Sequence, residues 1–171
     1  MCIRDSIKGI ERWVLWVGEA TPAELSQLPE VIKRIQAVRD YRSSSTSAPT
    51  RKIAATPTRF HVENIPSGYS ILIPEVSSER RNYVPIGQLS PGDMASNLVR
   101  LVPNSTLYHF GVLQSRAHNA WMRSVAGRLK SDYRYSGGVV YNTFVWPDVT
   151  EGQRAEIAGL AQTVHDARSQ Y

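Results

Sequence analysis

Proline and glycine fall so densely between Arg59 and Val102 that no regular element there can be long. Pro66, Gly68, Pro74, Pro85, Gly87, Pro91 and Gly92 punctuate the segment. Each proline removes a backbone donor, and each glycine favours a turn or a bulge. Between the breaks lie short β-prone runs: Arg59–Val62, which alternates, Tyr69–Ile73, which is apolar and closed by Pro74, then Tyr83–Ile86 and Asn97–Val102. Connections this short leave no room for the crossover helices that parallel pairing needs, so an antiparallel meander is expected.

Helical patterns flank this region. Trp13–Val17 reads as a short apolar strand ended by Gly18, and Thr21-Pro22-Ala23-Glu24 then opens a helix with a capping box and an N-terminal proline. Pro29 restarts that helix. Leu28, Val31, Ile32, Ile35 and Val38 keep helical spacing along it until about Arg42, and Ser43 to Pro49 has linker composition. A second helical region spans about Thr106–Leu129, interrupted around Gly111–Ser115, with Leu107, Phe110, Leu113, Ala117, Trp121 and Val125 on its apolar face. Gly138–Phe144 reads as a further strand. A last helix starts at Thr150, capped through Gln153, and is expected to bury Ile157, Leu160, Ala161 and Val164. The expected fold class is α+β: short, mostly antiparallel strands with packed helices, flanked by an N-terminal and a C-terminal helix. The expected organisation is a lead-in segment over 1–46, a main domain over 47–147 and the start of a helical region over 148–171.

A chain of 171 residues that is 42% hydrophobic can bury a core. The single cysteine, Cys2, excludes an internal disulfide and a thiolate-rich zinc site. No apolar run reaches the ~18 residues of a membrane helix, and the N-terminus lacks the apolar stretch of a signal peptide, so a cytoplasmic location is expected. Net charge is +5, from 20 Lys and Arg against 15 Asp and Glu, which favours polyanionic partners. Arg51-Lys52, Arg80-Arg81 and Arg128-Leu129-Lys130 concentrate cations in polar segments, and arginine's planar fork matches phosphates and guanine edges.

Reactive machinery is missing from the sequence. It contains no Gly-x-Gly-x-x-Gly or P-loop turn, no Gly-x-Ser-x-Gly elbow, no Asp…Glu-x-Lys nuclease pattern and no Asn-Pro-Pro-Tyr tetrad of the kind that holds a flipped adenine. His61, His109, His118 and His165 have no i, i+4 ligand spacing, so no metal site is expected. The tryptophans Trp13, Trp16, Trp121 and Trp146 are assigned to the core.

Five ordered motifs carry a family resemblance. They are Ser47 to Val62 (SAPTRKIAATPTRFHV), Ile73 to Arg81 (IPEVSSERR), Leu107 to Leu113 (LYHFGVL), Ser131 to Ser136 (SDYRYS) and Val140 to Pro147 (VYNTFVWP). Together they resemble the target-recognition domain of MmeI-like, type IIL restriction–modification DNA methyltransferases, from about Trp13 to the C-terminus. Val145 stands where that resemblance leads one to expect proline, and the first six residues fall outside it.

The resemblance implies a duplex-DNA recognition module within a longer chain. An upstream methyltransferase domain would transfer a methyl group from S-adenosylmethionine to adenine N6, with no catalytic residue, cofactor or metal in this segment. It also implies base-reading roles at Glu75, at Asn97 and at the alternating set Lys130, Asp132 and Arg134. The chemistry of these types is apt: asparagine pairs bidentately with adenine, a carboxylate accepts from cytosine N4, and lysine donates to guanine O6 and N7. Arg51, Lys52, Arg80, Arg81 and Arg128 suit phosphates. Along an extended segment, 130, 132 and 134 would share one side, with Tyr133 and Tyr135 facing the core. Blander readings stand beside these: Glu75 paired with Arg80 or Arg81, Asn97 satisfying a strand end, and Lys130 with Asp132 as a solvated ion pair. Two other functional classes remain open. A basic protein–protein scaffold predicts an apolar patch, and a stand-alone enzyme predicts a deep pocket of converging titratable groups.

Overall fold

The computed structural model describes residues 5, 8 and 10–170. Its architecture is α+β, and its contacts divide it into two compact units, residues 13–63 and residues 64–171 together with 1–12. The serine-rich segment lies within the smaller of these units and is no loose linker. Helix α2 (Pro29–Ser43) runs into it and α3 (Ala48–Lys52) leaves it. The Arg51 guanidinium donates to the carbonyls of Ser45 and Thr46, and Arg42 donates to those of Ile53, Thr56 and Arg59. Two arginines thus close the chain back on itself.

The helical unit opens as its sequence suggests. Thr21 caps α1 (Pro22–Ser26) in a full capping box with Glu24, and Pro29 starts α2. Two expected strands are absent. Trp13–Val17 and Arg59–Val62 find no partner strand in this helical unit, and without a ladder their backbone stays irregular. Trp13 is 89% exposed rather than part of the core, while Trp16 stacks on Phe60 at 6.0 Å.

The larger unit holds two three-stranded antiparallel sheets. In the first, β1 (Ser70–Pro74) lies between β3 (Gly87–Leu89) and β4 (Val99–Val102). Its register pairs Leu72 with Gly87 on one side and with Leu101 on the other. Both faces of β1 are covered, which is why it reads as an unbroken apolar run. Ile71 and Ile73 enter the main core with Val84, Ile86, Phe110, Leu113, Met122, Tyr135 and Val140, while Leu72 packs with Leu89 and Val99 in a second, smaller cluster. Tyr83–Ile86 is not a strand, although Val84 and Ile86 are buried. The Val84 N–H is taken by the buried Asn119 Oδ1 at 2.9 Å instead of by a ladder.

The second sheet orders β2 (Val76–Ser77), β6 (Asp132–Arg134) and β5 (Gly127–Leu129). The helical stretch after Thr106 breaks at Ser115, whose extended backbone ends α4 (Leu107–Gln114) and whose hydroxyl caps α5 (Arg116–Val125). It stops at Val125, short of Leu129, because 127–129 pair with β6. Gly138–Phe144 is not a strand either: Gly137–Tyr141 forms a π-helical turn capped by the Ser136 hydroxyl. Thr150 and Gln153 cap the last helix, α6 (Glu151–Arg168). Ala161 is buried and Ile157 half-buried, but Leu160 and Val164 face solvent, so α6 docks through a narrower face than its apolar residues suggest. Arg168 anchors its far end by donating to the Ile86 carbonyl at 2.7 Å.

Candidate nucleic-acid interface

The site is built around one residue that passes between sheets. Glu75 follows β1 and precedes β2. Its N–H donates to the Leu98 carbonyl at 3.0 Å, and its own carbonyl accepts from Tyr135 N–H at 2.8 Å. The first bond brings it beside Asn97-Leu98, the exposed pair leading into β4, and the second beside the end of β6. Glu75 is paired with neither Arg80 nor Arg81. Its Oε1 lies 2.7 Å from Nη2 of Arg100.

From this junction β6 carries the remaining candidates outward. Arg134 lies opposite Val76 and Gly127, and Asp132 lies opposite Leu129. Strand alternation puts Arg134 and Asp132 on the face away from Tyr133, which is buried, as is Tyr135. That outer face also carries Val76 and Leu129, both exposed. Lys130 departs from the expected extended run. With Ser131 it forms the two-residue loop joining β5 to β6, in the left-handed region at φ 57°. Its side chain is exposed at the hairpin tip. Among the described residues Lys130, Asp132 and Arg134 take part in no ion pair, so the solvated Lys130–Asp132 pair does not form.

The cations assigned to phosphates separate into two kinds. Arg128 faces inward on β5: its guanidinium stacks 3.8 Å from the Tyr133 ring centre, donates to the Ser131 carbonyl at 2.8 Å and approaches Glu79 at 3.8 Å. Arg123 covers the same ring at 5.5 Å and pins the carbonyls of Arg81 and Asn82. These two arginines lock the hairpin to the 78–82 loop. Arg80 and Arg81 stand exposed on that loop, while in the helical unit Arg51 is engaged as described and Lys52 is exposed. Sequence reasoning missed Arg100 and Arg123. Their partners, Glu75 and Tyr133, lie 25 and 10 positions away in the chain, and no local spacing links them.

Behind the hairpin the support is buried and polar. His118 Nδ1 meets the Leu113 carbonyl at 2.8 Å and therefore carries the proton, leaving Nε2 to accept from the Tyr135 hydroxyl at 3.1 Å. Burial holds His118 below the usual imidazole range, opposed in part by its bond to Leu113, and pushes the Tyr135 phenol up. Phe144 closes on His118 edge-to-face at 4.8 Å, and Val145, in the place of the expected proline, points to solvent.

A depression of about 400 Å³ beside Tyr108 offers Glu151 and Arg154, which pair with each other at 3.5 Å. A second, of about 510 Å³ in the helical unit, offers one cation, Arg39. Among the described residues no His, Cys, Asp or Glu cluster is suited to a metal and no helix is long and apolar enough to cross a membrane.

The family described as MmeI, target recognition domain, matches residues 1–148, including the first six that the motifs left out. The chain belongs to that family. It is 38% identical over 166 residues to DNA methyltransferase A of Bacillus subtilis (strain 168), a match that covers 97% of this chain and 19% of the relative. It is also similar to the solved structure of the Type IIL restriction–modification enzyme MmeI in complex with DNA, with 40% identity and a TM-score of 0.93 across 100% of this chain and 23% of that one. The chain thus spans about a fifth to a quarter of the length of these relatives. At the β5–β6 hairpin Lys130 and Arg134 are exposed and Asp132 half-buried, and at the junction Asn97 is exposed beside the half-buried Glu75.

Proposed function

We propose that the chain is the duplex-DNA recognition module of a restriction–modification adenine-N6 methyltransferase, reading base edges with the β5–β6 hairpin and the junction beside it. The observation that carries this reading is the backbone of Lys130. A lysine held at φ 57° costs about 1–2 kcal/mol relative to a glycine-like residue. A two-residue hairpin loop ordinarily solves that problem with glycine or asparagine. A long cation kept at the tip against this cost, exposed and without an ion pair among the described residues, supports a contact with a partner outside the chain.

The chemistry follows from residue type. Lys130 donates to guanine O6 and N7 while Asp132 accepts from the N4 amine of the paired cytosine, so together they read one G·C pair. Arg134 continues the same face with a fork suited to guanine. At the junction, Asn97 pairs with adenine and Glu75 accepts from a cytosine. Phosphate contacts fall first to Lys52, Arg80 and Arg81, because Arg51 and Arg128 already hold backbone carbonyls. Methyl transfer from S-adenosylmethionine belongs to the remainder of a longer chain. The half-exposed apolar face of α2, with Leu28, Ile32 and Val38, suits a protein contact with that remainder.

Titration of this chain against labelled duplex tests the DNA reading. Binding should be weak and largely indifferent to sequence, because the methyltransferase half of the clamp is absent. Its affinity should fall by roughly one to three orders of magnitude between 50 and 200 mM salt, as expected for about three to five neutralised phosphates. Binding that ignores salt, or none at low salt, would refute the reading.

A further inference from the structure

Glu75 is held at three points. Its N–H and carbonyl are both bonded across the junction, and its carboxylate is held by Arg100. The pair is uneven: the Glu75 side chain is 20% exposed and that of Arg100 is 51% exposed. Arg100 lies opposite Ile73 on β4, two residues before Glu75, so the two side chains meet diagonally across the strands. A partly exposed pair of this kind adds little to stability, which makes stability a poor reason for its geometry. Its geometric effect is larger. With Oε1 bonded to Arg100, the carboxylate is biased toward one rotamer and Oε2 is the oxygen left to accept from a base. An unheld glutamate would instead sample several rotamers and accept from neighbouring bases indifferently.

We propose that Arg100 is a positioning residue of the recognition face, which fixes the Glu75 carboxylate so that one oxygen reads one base. This rests on the base-reading role proposed for Glu75. Selectivity at that position is therefore a property of the ion pair, and Arg100 itself touches no base.

Methylated-site profiling on a randomised duplex library, with the full-length methyltransferase carrying this domain, tests the assignment. The variants are Glu75→Gln, Arg100→Gln, Arg100→Met, Arg100→Lys and the double variant E75Q/R100Q. E75Q should relax preference at one base pair by between about fivefold and about a hundredfold, the range of a single base-edge contact. R100Q and R100M should relax the same pair and no other, R100K should restore most of the preference, and the double variant should be no more relaxed than E75Q. Unchanged preference in R100Q and R100M would overturn the proposal. So would a uniform loss at every site, which marks a merely structural role, and so would relaxation at a different pair, which would make Arg100 a reader in its own right. If E75Q relaxes no position, the base-reading role of Glu75 fails, and the positioning role fails with it.

Discussion

Lys130 sets stability against recognition within one residue. Replacing it with glycine removes the left-handed penalty of about 1–2 kcal/mol and adds back about 0.5–1 kcal/mol of backbone freedom, so Lys130→Gly should leave stability unchanged or raise it by up to about 1.5 kcal/mol. In the full-length methyltransferase the same change should relax selection at one base pair, by about fivefold to about a hundredfold. Urea denaturation read beside site profiling checks both halves, and a destabilised yet fully selective variant would contradict the account. The histidines behave differently. Burial holds His118, His109 and His165 below the ordinary value near 6.5; Arg154 adds to the effect at His109 and Arg168 at His165, where Asp166 opposes it. Below about pH 6.5 the unfolded chain therefore binds more protons than the folded one. Their contribution is fully present above that value and is lost as pH falls through the lowered ones. Melting curves at pH 7.5 and 5.5, at fixed ionic strength, should show a lower Tm at 5.5 and a smaller difference in His118→Gln. A Tm that does not move would show that these imidazoles are not held neutral.

Among the elements, the pairing of α4 with α6 depends on Gly111. A Cβ there would lie 2.7 Å from Ile157 Cγ2 and 3.1 Å from the Ile157 carbonyl oxygen, so the helices approach as closely as glycine alone permits. Alanine would improve helix propensity by about 1 kcal/mol, while overpacking against a branched side chain and a backbone carbonyl costs about 1–3 kcal/mol. The clash should win. Gly111→Ala is expected to lower unfolding free energy by up to about 2 kcal/mol in a urea titration, and a gain would contradict the packing described. The interruption expected around Gly111–Ser115 falls at the end of that range, at Ser115, and Gly111 itself lies inside α4. The contrast shows what could be read in advance. Capping boxes at Thr21 and Thr150 and the apolar run of β1 are local signals, and each marks its element correctly. Val139-Val140-Tyr141 carries strand propensity but forms a π-helical turn, because the Ser136 cap and the packing of Val140 outweigh it. The β5–β6 hairpin was hidden by an apparent continuation of α5, and its loop, Lys130-Ser131, holds no glycine to announce it. Of the site, the alternation of Asp132 and Arg134 against Tyr133 was legible; the Arg100–Glu75 pair and the Arg123–Tyr133–Arg128 stack were not, since tertiary contacts alone create them.

For the whole molecule, the fold is α+β, the chain belongs to the MmeI target-recognition family, and the side chains proposed to read bases stand on a short, braced hairpin. Bracing matters because a base contact discriminates only if its donor and acceptor are fixed to a fraction of an ångström. Arg128 and Arg123 on Tyr133, with the His118–Tyr135 bond behind them, supply that rigidity. The central claim, that Lys130 and Asp132 together read one G·C pair, is tested most directly by exchanging their charges in the full-length methyltransferase and mapping methylated sites across a genome. Asp132→Arg alone sets two cations against one pair and should cost about 1–3 kcal/mol at that position. Lys130→Glu combined with Asp132→Arg restores one donor and one acceptor in swapped places. The account predicts restored methylation at sites in which that single pair is inverted from G·C to C·G, with every other position unchanged; a double variant that keeps the original motif would contradict it.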